Sequence, residues 1–224
     1  MAIPIYLAMT AEEFAICGEK PPHIAWMACH FSPYGKGLTN LPPILPKDAI
    51  VTVNDRIPWQ GHDPKRICEQ LLRIRCGGFL LDFQRDDTPK EMVQYLTASL
   101  PHPICVSAKG AIGVDSAVLA PPCPPHIPLA DHLKPWKGRE IWLEAALNTS
   151  ALRISQNGAM EIPIPQSISC QHNAPLLACH YEIRVSKERA DFLLLRTRED
   201  LTELAGQARP LGVTRMVGLY QELK

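Results

Sequence analysis

Gly77-Gly78-Phe79-Leu80-Leu81-Asp82-Phe83-Gln84-Arg85 reads as a strand whose two faces differ in chemistry. Period-two alternation puts Phe79, Leu81 and Phe83 on one face and Leu80, Asp82 and Gln84 on the other. The aromatic face needs a covering layer of helices, so Asp82 and Gln84 point the opposite way, into the interior of a curved sheet. On either side the same unit recurs: a short β-rich apolar run followed by helix-start signals. Strands are expected over 3–9, 24–30 and 49–54 before this one, and over 103–107, 116–120, 140–146 and 215–220 after it. Thr10-Ala-Glu-Glu13 is a capping box that opens a short helix. Asp63-Pro64 and Thr88-Pro89 each supply a cap and a proline at the first helical position, for helices over about 64–74 and 89–99. Thr197-Arg-Glu-Asp200 opens the last helix, to about 208.

Eight strands in βα order are the count and order of a (β/α)8 TIM barrel, and 224 residues is toward the short end for that fold. The trimming falls between the fifth and seventh strands. There 109–115 is too short for a helix, and Pro121-Pro-Cys-Pro-Pro125 opposes one. Residues 148–197 break the rhythm with antiparallel strand signals over 151–155, 159–164, 177–185 and 190–196 around Asn157-Gly158 and Ser186-Lys187-Glu188 turns. The expected organisation is one trimmed α/β barrel over 1–224 with a small antiparallel β insertion at 148–197, between the seventh and eighth strands. An open doubly wound sheet is the alternative, but no G-x-G-x-x-G follows the first strand to support a dinucleotide site.

Composition narrows the function classes. Lys+Arg and Asp+Glu balance at 23 each, which excludes a bulk basic field for nucleic acid. No apolar run approaches the roughly 20 residues that span a bilayer, so no membrane partner is expected. The N-terminus lacks a basic n-region and meets Glu12-Glu13 at once, which points to a cytoplasmic protein. The eight cysteines show no paired spacing and no C-x-x-C, and read as small core hydrophobes. Cys170-x-His172 with Cys179-His180 is the nearest approach to a metal cluster, but it lies in strand-like sequence rather than knuckle turns, so no metal and no cofactor is expected.

In a barrel of this kind chemistry sits where strands end at their C-termini. Those ends carry His30, Asn54-Asp55-Arg56, Asp82, Gln84-Arg85, Glu144 and Tyr220. On the seventh strand Ile141, Leu143 and Ala145 face outward and leave Trp142 and Glu144 inside. At this point residues 77–84 resemble the fourth-strand D-G-x-D-x-D-x-E motif of the glycoside hydrolase family 18 chitinases. The motif's last Asp falls on Asp82 and its Glu on Gln84, while its first two acidic positions fall on Gly77 and Leu80. A β-rich insertion between the last two strands, the helix over 199–208, the Leu211-Gly212 turn and a closing strand are similar to that family as well. The family commonly floors its sugar site with a Trp near the end of the eighth strand, and Tyr220 is the nearest aromatic here.

The resemblance implies a chitinase-like barrel with an altered acid. In that family the Glu protonates the glycosidic oxygen while the Asp orients the substrate's own 2-acetamido group for attack. A glutamine cannot donate a proton as a general acid near neutral pH. The resemblance implies one of two functions. In one, the barrel is a noncatalytic binder of an amino-sugar-containing glycan or related small carbohydrate ligand, held by Gln84, Arg85, Asn54, Asp55, His30, Tyr34 and Tyr220. In the other, it is a glycoside hydrolase that uses Asp82 and Glu144 as its carboxylate pair. A salt bridge from Glu144 to Arg85 or Arg56, or a place as a polar plug in the barrel, is the purely structural alternative for that residue. Tyr34, in the glycine-rich loop after the second strand, and Trp59 suit stacking on a sugar ring. Gly35-x-Gly37 alone does not make a phosphate cradle.

Overall fold

The structure is a computed structural model and describes residues 3–101 and 103–224. The chain runs β1 (Ile5–Met9), α1 (Ala11–Ile16), β2 (Ile24–Phe31), β3 (Leu38–Thr39), β4 (Ile50–Asn54), α2 (Pro64–Leu72), β5 (Gly78–Asp82), α3 (Lys90–Ser99), β6 (Ile104–Ser107) and β7 (Ala117–Ala120). It continues through α4 (Leu129–Leu133), β8 (Ile141–Ala145), five strands β9 (Thr149–Ser155), β10 (Gly158–Glu161), β11 (His172–Ala174), β12 (Cys179–Val185) and β13 (Arg189–Leu195), then α5 (Arg198–Ala208), β14 (Val213–Leu219) and α6 (Tyr220–Leu223). Eight parallel strands follow one another in the order β1, β14, β8, β7, β6, β5, β4, β2. The circle closes where β2 pairs back with β1 through Leu7 with Ile24 and Ala8 with Ala25. The molecule is a (β/α)8 barrel.

Strand alternation sorts the core as the sequence predicts. Leu80 joins Tyr6, Ala8, Ile50, Leu119, Trp142 and Val217 in the cluster that fills the barrel. Phe79, Leu81 and Phe83 pack outward against Ile67 and Leu71 of α2 and Met92, Val93 and Leu96 of α3. Ile141, Leu143 and Ala145 face Leu129 and Leu133 of α4 and Leu201 and Leu204 of α5.

The helix starts follow local chemistry. Thr10 Oγ1 accepts from the Glu13 amide at 3.2 Å while Glu13 accepts from the Thr10 amide at 2.8 Å, closing the capping box. Asp63 accepts from the Lys65 amide at 3.0 Å, with Pro64 opening α2. Asp63→Ala removes that cap, and a loss of about 1 kcal/mol in denaturant unfolding is the expected result. The Thr88-Pro89 start behaves differently: Pro89 takes the cap position of α3 with no side-chain cap, and the Thr88 hydroxyl donates to Asp55 at 2.7 Å instead. A buried carboxylate is the stronger acceptor, so the hydroxyl goes to it. After the proline run α4 forms all the same, because Pro128 stands at its cap, where a missing N–H costs nothing.

Between β8 and α5 the antiparallel strands form a second sheet in the order β10, β9, β13, β12, β11. The short β11 is an addition to the expected set, since His172-Asn173-Ala174 carries no apolar alternation. Arg196, 1% exposed, ties this region to the barrel by donating to the carbonyls of Cys123, Leu177 and Ala178.

Candidate functional site

The C-terminal ends of the barrel strands open into a cavity of about 1260 Å³. β5 delivers Asp82 to its wall, half-buried, and the Gln84 side chain folds back so that Nε2 donates to Asp82 Oδ1 at 2.6 Å. Burial pushes the Asp82 carboxyl above the usual carboxylate range, the Gln84 bond draws it down, and the charge of Asp55 pushes it up again. Glu144 enters from β8, three strands away around the barrel. Its carboxyl is also raised, first by burial and then by the charge of Asp82. Among the described residues Glu144 has no ion pair: Arg85 binds Asp87 through Nε and Nη2 at 2.8 and 3.0 Å instead. Two half-buried carboxyl groups thus share one mouth, and among the described residues neither is paired with a cation.

The other strand-end residues are largely committed to the protein itself. Asn54 donates from Nδ2 to the Met27 carbonyl at 3.2 Å and accepts from the Arg56 amide at 3.2 Å. Asp55 is 3% exposed and accepts from the Gln84 and Arg85 amides and the Thr88 hydroxyl. His30 lines the cavity with Nδ1 at 2.9 Å from the Phe31 carbonyl and 3.1 Å from Thr39 Oγ1. Tyr34 is 80% exposed and lies outside the cavity lining. Trp59 packs at 5.4 Å edge-on to Phe31 and at 5.0 Å from His62, away from the mouth. Tyr220 begins α6 rather than ending the strand, and its hydroxyl lies 3.4 Å from Cys17 Sγ. Among the described residues no Trp, Tyr or Phe lines the cavity.

Sequence reasoning missed Thr52 and the short terminal helix. Thr52 lines the cavity at 5% exposure, and its Oγ1 is a buried oxygen without a hydrogen-bond partner. Its parity with Ile50 and Asn54 on β4 was the available signal. Glu222 of α6 lines the same cavity and accepts from the Leu147 amide. The insertion cysteines and histidines are dispersed. Cys179 faces the Pro125 carbonyl, Cys170 the Leu193 carbonyl, and His180 pairs with buried Asp200 at 3.1 Å. Among the described residues no three metal-ligating side chains are grouped so as to hold an ion, and no helix is long and apolar enough to cross a membrane.

No family model matches the chain, and no curated protein matches it. Solved structures do. A chitinase-like agglutinin from Robinia pseudoacacia aligns over 100% of this chain and 96% of its own, with a TM-score of 0.61 at 11% identity. A chitinase of glycoside hydrolase family 18 from Cycas revoluta, solved in complex with (GlcNAc)3, aligns over 99% and 96%, with a TM-score of 0.54 at 10% identity. The spore cortex-lytic enzyme of Bacillus cereus aligns over 99% of this chain and 71% of its own, with a TM-score of 0.53 at 8% identity. The fold is therefore the chitinase-like barrel that the resemblance of 77–84 implies. At such identity the likeness carries the fold and leaves activity to be argued from the site.

Proposed function

We propose that the chain binds an amino-sugar-containing glycan in the barrel mouth without cleaving it. The observation that supports this reading is the amide of Gln84, bonded to Asp82 at the position where the resemblance puts the protonating acid. An amide there can hold a hydroxyl or acetamido group, but it cannot deliver a proton to a leaving oxygen. The cavity is the right size for a short oligosaccharide. Support from outside the chain is the shared fold of an agglutinin and of a chitinase whose structure contains (GlcNAc)3.

A hydrolase built on Asp82 and Glu144 is the second reading, favoured by the upward shift of Glu144, the direction a general acid needs. Titration calorimetry with chitooligosaccharides and peptidoglycan fragments, run beside product analysis of the same mixtures, separates the two. Binding with the sugar recovered intact is the expected result. Turnover that falls about 10²–10⁴-fold in Glu144→Gln would establish the hydrolase instead.

A further inference from the structure

We infer that the sugar held in this mouth carries a free, protonated amine rather than an acetamido group, with its ammonium lodged between Asp82 and Glu144. The inference rests on the glycan-binding reading above and narrows it to one chemical class. Its first ground is the charge of the wall. Glu12 and Glu13 of α1, Asp55, Asp82, Glu144 and Glu222 line the cavity against Arg56, Arg85 and Lys224, with His30 the one further titratable side chain. Of the cations, Arg85 is engaged by Asp87, and Arg56 and Lys224 are exposed to water. Of the carboxylates, Asp55, Glu13 and Glu222 accept hydrogen bonds from backbone amides, the second oxygen of Glu13 is buried without a partner, and Glu12 is exposed to water. Glu144 has no hydrogen bond among the described residues, and one oxygen of Asp82 is bonded to Gln84.

The second ground is independent of charge. Thr52 stands on β4 one inward position below Asn54, which is level with Asp82, and its hydroxyl has no partner although the side chain is 5% exposed. A polar group left unpaired in the floor of a cavity marks where a ligand atom, or a water carried with it, completes the hydrogen bonding. The third ground is the absence of an aromatic platform from the described lining. A neutral N-acetylated ring depends on stacking for much of its hold. An ammonium between two half-buried carboxylates forms charge-assisted hydrogen bonds and needs no platform. It also relieves the repulsion that Asp82 and Glu144 impose on each other.

The test compares the glucosamine trimer with its fully N-acetylated counterpart by calorimetry at pH 6, on the wild-type chain, Glu144→Gln and Asp82→Asn. About tenfold tighter binding of the free-amine trimer is expected, with most of that advantage lost in either variant. Its affinity should fall at low pH as the carboxyls protonate, and again above about pH 8 as the amine loses its proton, while that of the N-acetylated trimer stays flat. Glu144 has no hydrogen bond to lose and its charge repels that of Asp82, so Glu144→Gln should melt at or above the wild type, and a melting curve no lower than the wild type's shows that a lost affinity is local. N-acetylated trimer binding as tightly as, or more tightly than, the free amine overturns this inference and leaves the glycan-binding reading standing. So does full affinity for the free amine in both variants. If neither trimer binds, this inference fails, and the glycan-binding reading fails with it when peptidoglycan fragments do not bind either.

Discussion

If the barrel binds glycan without cleaving it, as proposed, Gln84→Glu is expected to confer slow hydrolysis of partially N-acetylated chitooligosaccharides. The substitution puts a carboxyl where an amide now lies 2.6 Å from Asp82 Oδ1. Two carboxyl oxygens at that separation share one proton, because both cannot ionise so close together. Residue 84 is exposed, so burial adds little, and the shared proton is the larger influence on its pKa. An acid of raised pKa beside a half-buried aspartate is the pair the chitinase resemblance calls for. Mixed acetylation matters because the resemblance implies that an acetamido group is the internal nucleophile, which a ring held by its free amine cannot supply. Mass spectrometry of the products, with binding measured on the same variant, is the check. Bound sugar whose glycosidic oxygen lies beyond about 3.2 Å of the residue 84 carboxyl, with no bridging water, would sink the idea. The stability of the variant should change with pH in a definite direction. Below about pH 4 both folded and unfolded chains are protonated at this site and no penalty exists. As pH rises, the unfolded carboxyl ionises first while the folded one keeps its proton, so the variant loses stability relative to the wild type up to the folded pKa.

The barrel was readable because its signals are local. Alternation over 77–85 set the two faces of β5, and four helix-start signals marked crossovers, of which three form as side-chain caps. Thr88 fails as a cap because an acceptor 33 residues away competes for its hydroxyl, a contact that chain proximity cannot show. β11 and α6 were missed because three and four residues are too few to display a period. At the mouth, Asp82, Glu144, Gln84, Asn54, Asp55, Arg85 and His30 were brought together on one cavity lining, since strand ends alone determine that. The aromatics were not. Whether Tyr34 and Tyr220 turn toward the mouth depends on loop and terminal-helix geometry, and both lie outside the lining. The difference between lining a cavity and being free to bind is also illegible in sequence: Asn54 and Asp55 reach the mouth yet are held by backbone groups.

Asp55→Ala should be among the most destabilising single changes at the mouth, and the reason is where its hydrogen bonds go. Its carboxylate, 3% exposed, accepts from the Gln84 amide at 3.0 Å, the Arg85 amide at 2.9 Å and the Thr88 hydroxyl at 2.7 Å. It thereby pins the turn from β5 to α3 against the end of β4. Hydrogen bonds to a charged group are worth roughly 1.5–3 kcal/mol each, and removing the acceptor leaves donors unpaired. Part of that loss is recovered by water reaching the exposed side of the turn, so about 3 kcal/mol is the expected total, near 6–12 °C in Tm for a chain of this length. The same turn carries Gln84, so on the proposed binding reading the variant should also bind glycan more weakly with Asp82 itself intact. Asp55→Asn separates the two effects. It keeps one acceptor oxygen and removes the charge that pushes the Asp82 carboxyl up, so it should melt between the wild type and Asp55→Ala while Asp82 titrates lower. Carbon-detected NMR of the Asp82 carboxyl measures that shift. A rise, or a melting temperature for Asp55→Ala within a degree of the wild type, would show that the turn is held by packing rather than by this carboxylate.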